Sequence, residues 1–222
     1  MNAEKIAVLF DMDGVLVDNM AYHKTSWFEF CHKYGLTLTD EEFTNFVSGR
    51  VSKEVLEYVF KKSLTAEEVN RYTEEKEELY RTLYKPHIKP TDGLLPFLES
   101  LKENEAALAV GTSAPTSNID FTLLSTGLKP YFHKIVDASF VKKGKPDPQI
   151  YLKAAELLGV LPQQCVVVED SLLGIQAGIN AGMKVVGITT THQREELTQP
   201  HLIIDNFYEV DYHKIVALLR AV

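Results

Sequence analysis

Two acidic pairs stand directly after apolar segments of the sequence. Asp11 and Asp13 are separated by one residue, and Glu169 and Asp170 are adjacent. Carboxylates that are buried close together repel one another, so such pairs cost stability unless something binds them. Hard cations such as Mg²⁺ take oxygen ligands of this kind. The pairs predict a metal site, although Asp residues at these places also form turns and helix caps.

Hydroxyl and basic residues accompany the acidic pairs. Thr112 and Ser113 in "VGTSAP" (110–115) follow an apolar segment, and Pro115 is expected at the first helical position. Hydroxyls and free backbone N–H groups at such a place suit a phosphate, but an ordinary helix cap has the same composition. Lys145 in "KKGKPDP" (142–148) is placed to neutralise a phosphate and a carboxylate together, unless it is a solvated surface lysine.

The elements that must position these residues alternate along the chain. Continuous apolar segments predict strands that are covered on both faces of a parallel sheet, and helical patterns lie between them. Gly159 and Gly182 are expected to end two of these helices. The alternation predicts a doubly wound α/β fold. The predicted strands are 5–10, 106–111, 134–138, 165–169, 184–189 and 201–204.

Residues 18–85 interrupt the alternation with amphipathic helices and predict an inserted helical domain. The core domain is then 1–17 together with 86–222. Capping boxes are expected where Thr39 precedes Glu42 and where Thr65 precedes Glu68. Two connectors, at 17–20 and 85–90, are expected to let the insertion hinge over the core.

Two basic residues fall within apolar helical stripes of this insertion. Lys76 occupies a position where Leu is expected, and His23 lies on the same helix face as Trp27. Lys76 is either a lysine that snorkels to water or an amine that serves a ligand. His23 is either a structural histidine or a substrate contact.

Length, charge and cysteine content restrict the class of protein. The chain has 222 residues, 45% of them hydrophobic, and a formal charge of −8, which disfavours nucleic acid and anionic membranes as partners and favours a small ligand. Cys31 and Cys165 lack the spacing of a zinc site or a disulfide framework. The polar N-terminus and the short apolar segment after it predict neither a signal peptide nor a membrane span. We therefore expect a cytoplasmic protein, with a monomer as the default.

Four motifs in order resemble those of the haloacid dehalogenase-like (HAD) superfamily. The pattern is most similar to the β-phosphoglucomutase and sugar-phosphate phosphatase branch, and the insertion resembles a type 1 helical cap on a Rossmann-like core. Asp13, two residues after Asp11, is typical of the members that act on phosphate esters. The motifs are "DMDGV" (11–15), "GTSAP" (111–115), "GKPDP" (144–148) and "VVVEDS" (166–171).

The resemblance implies roles for individual residues. Asp11 would be the nucleophile that forms an aspartyl phosphate, and Asp13 the general acid and base. Asp11, the backbone carbonyl of Asp13, Glu169 and Asp170 would hold Mg²⁺. The residues implied to bind the transferring phosphoryl group are Thr112, Ser113 and Lys145.

The resemblance leaves three functions open, of which a Mg²⁺-dependent phosphatase of a small phosphorylated metabolite, such as a sugar phosphate, is the first. The second is a β-phosphoglucomutase-like phosphohexomutase, and the third is a metabolite-binding protein without turnover. Related mutases carry a basic residue just before a glycine of the cap. Ser48 stands there before Gly49, which favours the phosphatase. The substrate contacts expected from the cap are His23, Arg50, Lys53 and Lys76.

Overall fold

The computed structural model describes residues 5–47 and 50–221, and this part of the chain divides into two compact units. The core unit comprises the residues up to Asp18 and those from Lys89 onwards, and the helical unit comprises Asn19–Ile88. The first of these divisions falls one residue from the predicted boundary and the second falls three residues from it. That the helical unit serves as a cap stays a prediction.

The core unit contains a parallel sheet of six strands within the described residues. The four central strands have apolar sequences and are buried on both faces, whereas the two outer strands are partly exposed. The predicted fold class is confirmed, and each predicted strand is found with bounds within two residues. The strands are β1 (Ala7–Phe10), β2 (Ala107–Gly111), β3 (Lys134–Val136), β4 (Cys165–Glu169), β5 (Lys184–Ile188) and β6 (Leu202–Ile204). Their order in the sheet is β3-β2-β1-β4-β5-β6.

The helical unit is built from amphipathic helices around an aromatic core. Both predicted capping boxes are present, with the hydroxyls of Thr39 and Thr65 accepting from the backbone N–H groups of Glu42 and Glu68. The apolar faces of these helices enclose Trp27 and neighbouring aromatic rings. The helices are α1 (Met20–Lys33), α2 (Asp40–Glu42), which continues as a π-helical turn (Phe43–Val47), α3 (Ser52–Phe60) and α4 (Ala66–Tyr84).

Further helices cover the two faces of the sheet in the core unit. They are α5 (Leu94–Glu103), α6 (Thr116–Ser125), α7 (Gln149–Leu158), α8 (Leu172–Asn180) and α9 (Tyr212–Arg220). Because side chains alternate along a strand, Val8 and Phe10 pack with α5, α6 and α9, whereas Ala7 and Leu9 pack with α7 and α8. Among the described residues, no helix is both long enough and apolar enough to cross a membrane.

The register of the central strands brings their carboxyl ends to one edge of the sheet. Phe10 at the end of β1 lies opposite Val110 of β2 and Val168 of β4, and Val168 lies opposite Val186 of β5. The residues that directly follow these strands therefore share that edge. Ligands of open α/β sheets bind outside the carboxyl ends of the strands.

Candidate active site

Glu169, the last residue of β4, is fully buried and accepts hydrogen bonds at both carboxylate oxygens. Its Oε1 accepts from Lys145 Nζ at 2.5 Å and from the Tyr151 hydroxyl at 2.6 Å. Its Oε2 accepts from the Ser171 hydroxyl at 2.9 Å and from the backbone N–H groups of Asp170 and Ser171, each at 3.2 Å. Five donors therefore fix the orientation of this carboxylate.

Lys145 places its ammonium between two carboxylates. Its Nζ lies 2.8 Å from Asp11 Oδ1 as well as 2.5 Å from Glu169 Oε1, and the side chain is only 10% exposed. Burial by itself would lower the pKa of Lys145, but the charges of Asp11 and Glu169 outweigh burial and raise it. Lys145 is therefore a buried cation at neutral pH. The interpretation of it as a solvated surface lysine is wrong.

Asp11 directly continues β1, and its backbone N–H donates to the Val168 carbonyl of β4 at 3.0 Å. Its side chain is buried. Burial and, to a smaller extent, the nearby Glu169 raise the pKa of Asp11 from 3.8 to about 7 against the opposing effect of Lys145. Without a further cation, the proton on this carboxyl is therefore held far more tightly than in water.

Three buried carboxylates are close enough to share one metal ion. Ligand oxygens of Asp11, Glu169 and Asp170 all lie within 4.8 Å of one another. Burial, followed by the charges of Glu169 and Asp11, raises the pKa of Asp170 well above its usual value. One ammonium does not offset three carboxylates, so a divalent cation fits the charge of this cluster as well as its donor set.

Two glycines make room for these carboxylates. Gly14 has φ +75°, and a Cβ atom there would lie 2.0 Å from Asp170 Oδ2. A Cβ atom on Gly174 in α8 would lie 1.8 Å from Glu169 Oε1. Neither place has space for a larger residue, which explains the glycine after the first acidic pair.

Asp13 lies in the turn that follows β1 and is half-buried. An isolated parallel bridge pairs Asp13 with Val17. The same turn is held at Gly14, whose carbonyl accepts from the Thr190 hydroxyl. These two contacts hold the backbone of the turn in place. The acid-base role of Asp13 stays a prediction.

Thr112 and Ser113 follow β2 at the same edge of the sheet. Thr112 is buried, its backbone N–H donates to the Val136 carbonyl, and its hydroxyl accepts from the backbone N–H of Ala114 at 3.1 Å. Ser113 is exposed. The expectation for Pro115 is wrong by one residue: its ψ of 153° is extended, so Pro115 is the N-cap and α6 begins at Thr116.

Lys76 of α4 is buried within a polar cluster of the helical unit. Its Nζ donates to Glu77 Oε1 at 2.9 Å and lies 3.1 Å from His23 Nδ1. The same ammonium lies over the rings of Trp27 and Tyr80, 5.1 and 5.8 Å from their centroids. Only 2% of Lys76 is exposed, so the interpretation as a snorkelling lysine is wrong, because such a lysine keeps its head in water.

The basic residues near the start of α3 are exposed. Arg50 lies 4.0 Å from Glu54, and Lys53 lies in the first turn of α3. Ser48 and Gly49, on which the sequence comparison with mutases depends, lie outside the described residues. The substrate contacts predicted for Arg50 and Lys53 stay predictions.

Three side-chain contacts at this site were not predicted from the sequence. Tyr151 lies six residues after Lys145 and donates to Glu169, and burial, then the charge of Glu169, raises its pKa well above the usual value. Thr190 and Thr191 donate to the Gly14 carbonyl and to Asp170 Oδ2, respectively. The hydroxyl-rich segment "TTT" (189–191) directly follows β5, and that position was the available signal.

Comparison with known proteins shows the family. The model of the haloacid dehalogenase-like hydrolase family matches residues 8–188. Fructose-1-phosphate phosphatase of Escherichia coli is 31% identical over 183 residues, which cover 82% of this chain and 95% of that protein. β-Phosphoglucomutase of Bacillus subtilis is 32% identical over 192 residues, which cover 82% of each. A HAD hydrolase of family IA, variant 3, from Entamoeba histolytica superposes with a TM-score of 0.91 at 34% identity, covering 97% of this chain and 100% of the other.

The chain belongs to the haloacid dehalogenase-like hydrolase family. The family and the enzyme class predicted from the four motifs are confirmed.

Proposed function

We propose that the protein is a Mg²⁺-dependent phosphatase that hydrolyses a small phosphorylated metabolite, a sugar phosphate, through an aspartyl phosphate on Asp11. The observation that supports this most directly is the cluster in which Lys145 bridges Asp11 and Glu169 beside Asp170. The relative that acts on fructose 1-phosphate supports the substrate class.

The three buried carboxylates, together with the backbone carbonyl of Asp13, would hold the metal. Their mutual repulsion and their oxygen-only donor set favour a hard cation. When bound, Mg²⁺ neutralises the charge that develops on the transferring phosphoryl group. The bound charge also favours the ionised form of Asp11, which the nucleophile requires.

The chain's own residues then account for two steps. A carboxylate oxygen of Asp11 forms a bond to phosphorus while the ester P–O bond breaks, and Asp13 gives its proton to the departing alcohol oxygen. Asp13 next takes a proton from water, whose oxygen bonds to phosphorus while the bond from phosphorus to Asp11 breaks. Thr112, Ser113 and Lys145 bind the phosphoryl oxygens, so catalysis consists largely of positioning and charge stabilisation.

The test is a panel of phosphorylated metabolites with released phosphate measured in Mg²⁺ and in excess chelator. We expect hydrolysis of at least one sugar phosphate that stops in chelator and returns when Mg²⁺ is restored. A rate that chelator leaves unchanged would remove the metal from the mechanism. Absence of hydrolysis across the whole panel would contradict the phosphatase.

We assign substrate contacts from the helical unit to His23, Arg50, Lys53 and Lys76, of which Lys76 has the most distinctive surroundings. Two of the three N–H groups of its ammonium are directed at Glu77 and His23. An ammonium held in this way is already ordered, so it loses little entropy when it binds an anionic substrate.

The Lys76 assignment predicts a kinetic loss in Lys76→Met. Because a hydrogen bond to a charged group contributes about 1.5–3 kcal/mol, we expect kcat/KM to fall by about 10- to 100-fold. Lys33→Met is the matched control, since Lys33 forms an exposed pair with Glu75 in the same unit. If both variants match the wild type on the best substrate, Lys76 does not contact it.

A phosphohexomutase is the second candidate, favoured by the similarity to β-phosphoglucomutase of Bacillus subtilis. Both candidates share the aspartyl phosphate and differ in the group that receives the phosphoryl. The enzyme should be incubated with β-glucose 1-phosphate, Mg²⁺ and catalytic glucose 1,6-bisphosphate, and glucose 6-phosphate and free phosphate should be measured together. We expect hydrolysis to dominate. Formation of glucose 6-phosphate much faster than phosphate release from any substrate of the panel would establish the mutase.

A further inference from the structure

Tyr151 is a fully buried residue of the first turn of α7, and it contacts both Glu169 and Lys145 of the candidate active site. Its hydroxyl donates to Glu169 Oε1 at 2.6 Å. Its ring lies beneath the Lys145 ammonium, with Nζ 5.1 Å from the ring centroid. One side chain thus contacts both the cation and an anion of the site.

Glu169 Oε1 has two donors of different character. Lys145 lies at the end of a flexible chain and is shared with Asp11, 2.8 Å away on its other side. The Tyr151 hydroxyl is carried by a rigid ring with two rotatable bonds, so little entropy is lost in holding it in place. The tyrosine is therefore the donor that can keep Oε1 in one position when Lys145 moves toward Asp11 or a phosphoryl group.

The Tyr151 ring packs against Gly111, the last residue of β2. A Cβ atom on Gly111 would lie 3.1 Å from Tyr151 Cε1, closer than ordinary van der Waals contact. With glycine there, the ring fits closely against the strand, and small displacements of the hydroxyl are restricted. When close packing prevents the ring from moving, the hydroxyl attached to it is held in place as well.

We propose that Tyr151 is a positioning residue whose hydroxyl fixes Glu169 Oε1 and thereby orients this carboxylate toward a cation shared with Asp11 and Asp170. The role rests on the metal site of the proposed function. Tyr151 acts through Glu169 and contacts neither the metal nor the substrate. Groups that orient metal ligands in this way typically contribute 10- to 100-fold in metal affinity.

The test compares Tyr151→Phe, which keeps the ring and removes the hydroxyl, with Tyr131→Phe. Tyr131 belongs to the same unit, and its hydroxyl also donates to a carboxylate, the exposed Glu99. The affinity for Mn²⁺, used as the probe without substrate, is measured by electron paramagnetic resonance. We expect about tenfold weaker binding in Tyr151→Phe and wild-type binding in Tyr131→Phe.

A kinetic arm separates positioning from general disruption. In Tyr151→Phe, the Mg²⁺ concentration for half-maximal phosphatase rate should rise by about the same factor, while kcat at saturating Mg²⁺ recovers and KM for the substrate stays unchanged. A second variant, Gly111→Ala, keeps the hydroxyl but crowds the ring, and it should weaken Mn²⁺ binding in the same direction.

Wild-type Mn²⁺ affinity in both Tyr151→Phe and Gly111→Ala would overturn the proposal, even if their unfolding temperatures fall, since that result assigns Tyr151 to packing alone. The Mn²⁺ measurement uses no substrate. It therefore still decides the role of Tyr151 if no phosphorylated metabolite is hydrolysed, and the two failures can be told apart.

Discussion

Each unit of the molecule contains a buried lysine, and the two lysines differ in the charge around them. In the core unit, Lys145 contacts Asp11 and Glu169, with Asp170 close by. In the helical unit, as far as the described residues show, Lys76 pairs with one carboxylate, that of Glu77. The first cluster has an excess of negative charge, whereas the Lys76 pair is neutral.

The difference separates a cluster whose negative charge is uncompensated from a pair whose two charges cancel. Burial, together with the charges of the neighbouring carboxylates, raises the pKa of Asp11 and Asp170, and a bound cation would favour their ionised forms. A neutral buried pair needs no cation, but it loses stability when either partner is removed. The two lysines should therefore respond differently to substitution, metal and pH.

The largest expected effect comes from Asp11→Asn. The amide is a poor nucleophile and a weaker metal ligand, so kcat should fall by about 10⁴-fold or more. The fold should persist, because Lys145 keeps its contact with Glu169 and one repelling charge is gone. Phosphate release and circular dichroism check this, and normal turnover by the variant would refute the nucleophile.

Asp13→Asn should have a smaller effect on kcat than Asp11→Asn. The variant tests whether the Asp13 side chain transfers a proton or instead binds the metal. General acid-base catalysis contributes about 10²–10⁴-fold, and we expect a loss of kcat in that range with Mn²⁺ affinity retained. A change in kcat of less than about threefold on a substrate with a poor leaving group would show that the role is misassigned.

Lys76→Met tests the neutral pair through stability. The variant leaves the buried Glu77 carboxylate without its ammonium, and breaking a buried pair costs about 3 kcal/mol or more of the free energy of unfolding. Adding Glu77→Gln should recover part of this loss, since the uncompensated charge is removed. Urea unfolding measures both variants. Equal stability of Lys76→Met and wild type would mean that the pair contributes nothing to folding.

The smallest expected effect is a pH dependence of the metal-free core unit. Asp11 has a pKa of 3.8 when unfolded and about 7 when folded, so the folded state holds this proton longer. The stability that Asp11 contributes is therefore fully present below pH 3.8 and is lost as pH rises to about 7.

The measurement is urea unfolding of wild type and Asp11→Asn in chelator at about pH 5 and about pH 8. The difference between the two proteins removes the contributions of the other carboxylates. Wild type should lose stability relative to Asp11→Asn as pH rises. The opposite trend would show that the pKa of Asp11 is not raised in the folded protein.

Much of the fold could be predicted because its signals are local. The apolar segments before Asp11 and Asp170 predicted buried parallel strands, and the spacing of Thr39 to Glu42 and of Thr65 to Glu68 predicted capping boxes that the structure contains. These local signals do not predict the order of the strands, because that order depends on pairings between distant segments such as β1 with β4.

The contacts within the candidate site were less predictable, because they join residues far apart in sequence. The position of Lys145 suggested a loop cation, but its contacts with Asp11 and Glu169 depend on how the loop packs. Tyr151 was not predicted as part of the site, since the sequence does not show that the fold brings its hydroxyl to Glu169. Lys76 was ambiguous because its pattern did not reveal that Glu77 is buried beside it.

The most direct test of the account is to trap the phosphoenzyme. The enzyme is mixed with its best phosphorylated substrate in Mg²⁺, quenched in acid within the first turnover, digested, and analysed by mass spectrometry. We predict the mass of one added phosphoryl group on the peptide that contains Asp11, absent in chelator and absent in Asp11→Asn. Rapid turnover with no phosphoryl group on that peptide, or with the group on another residue, would contradict the account.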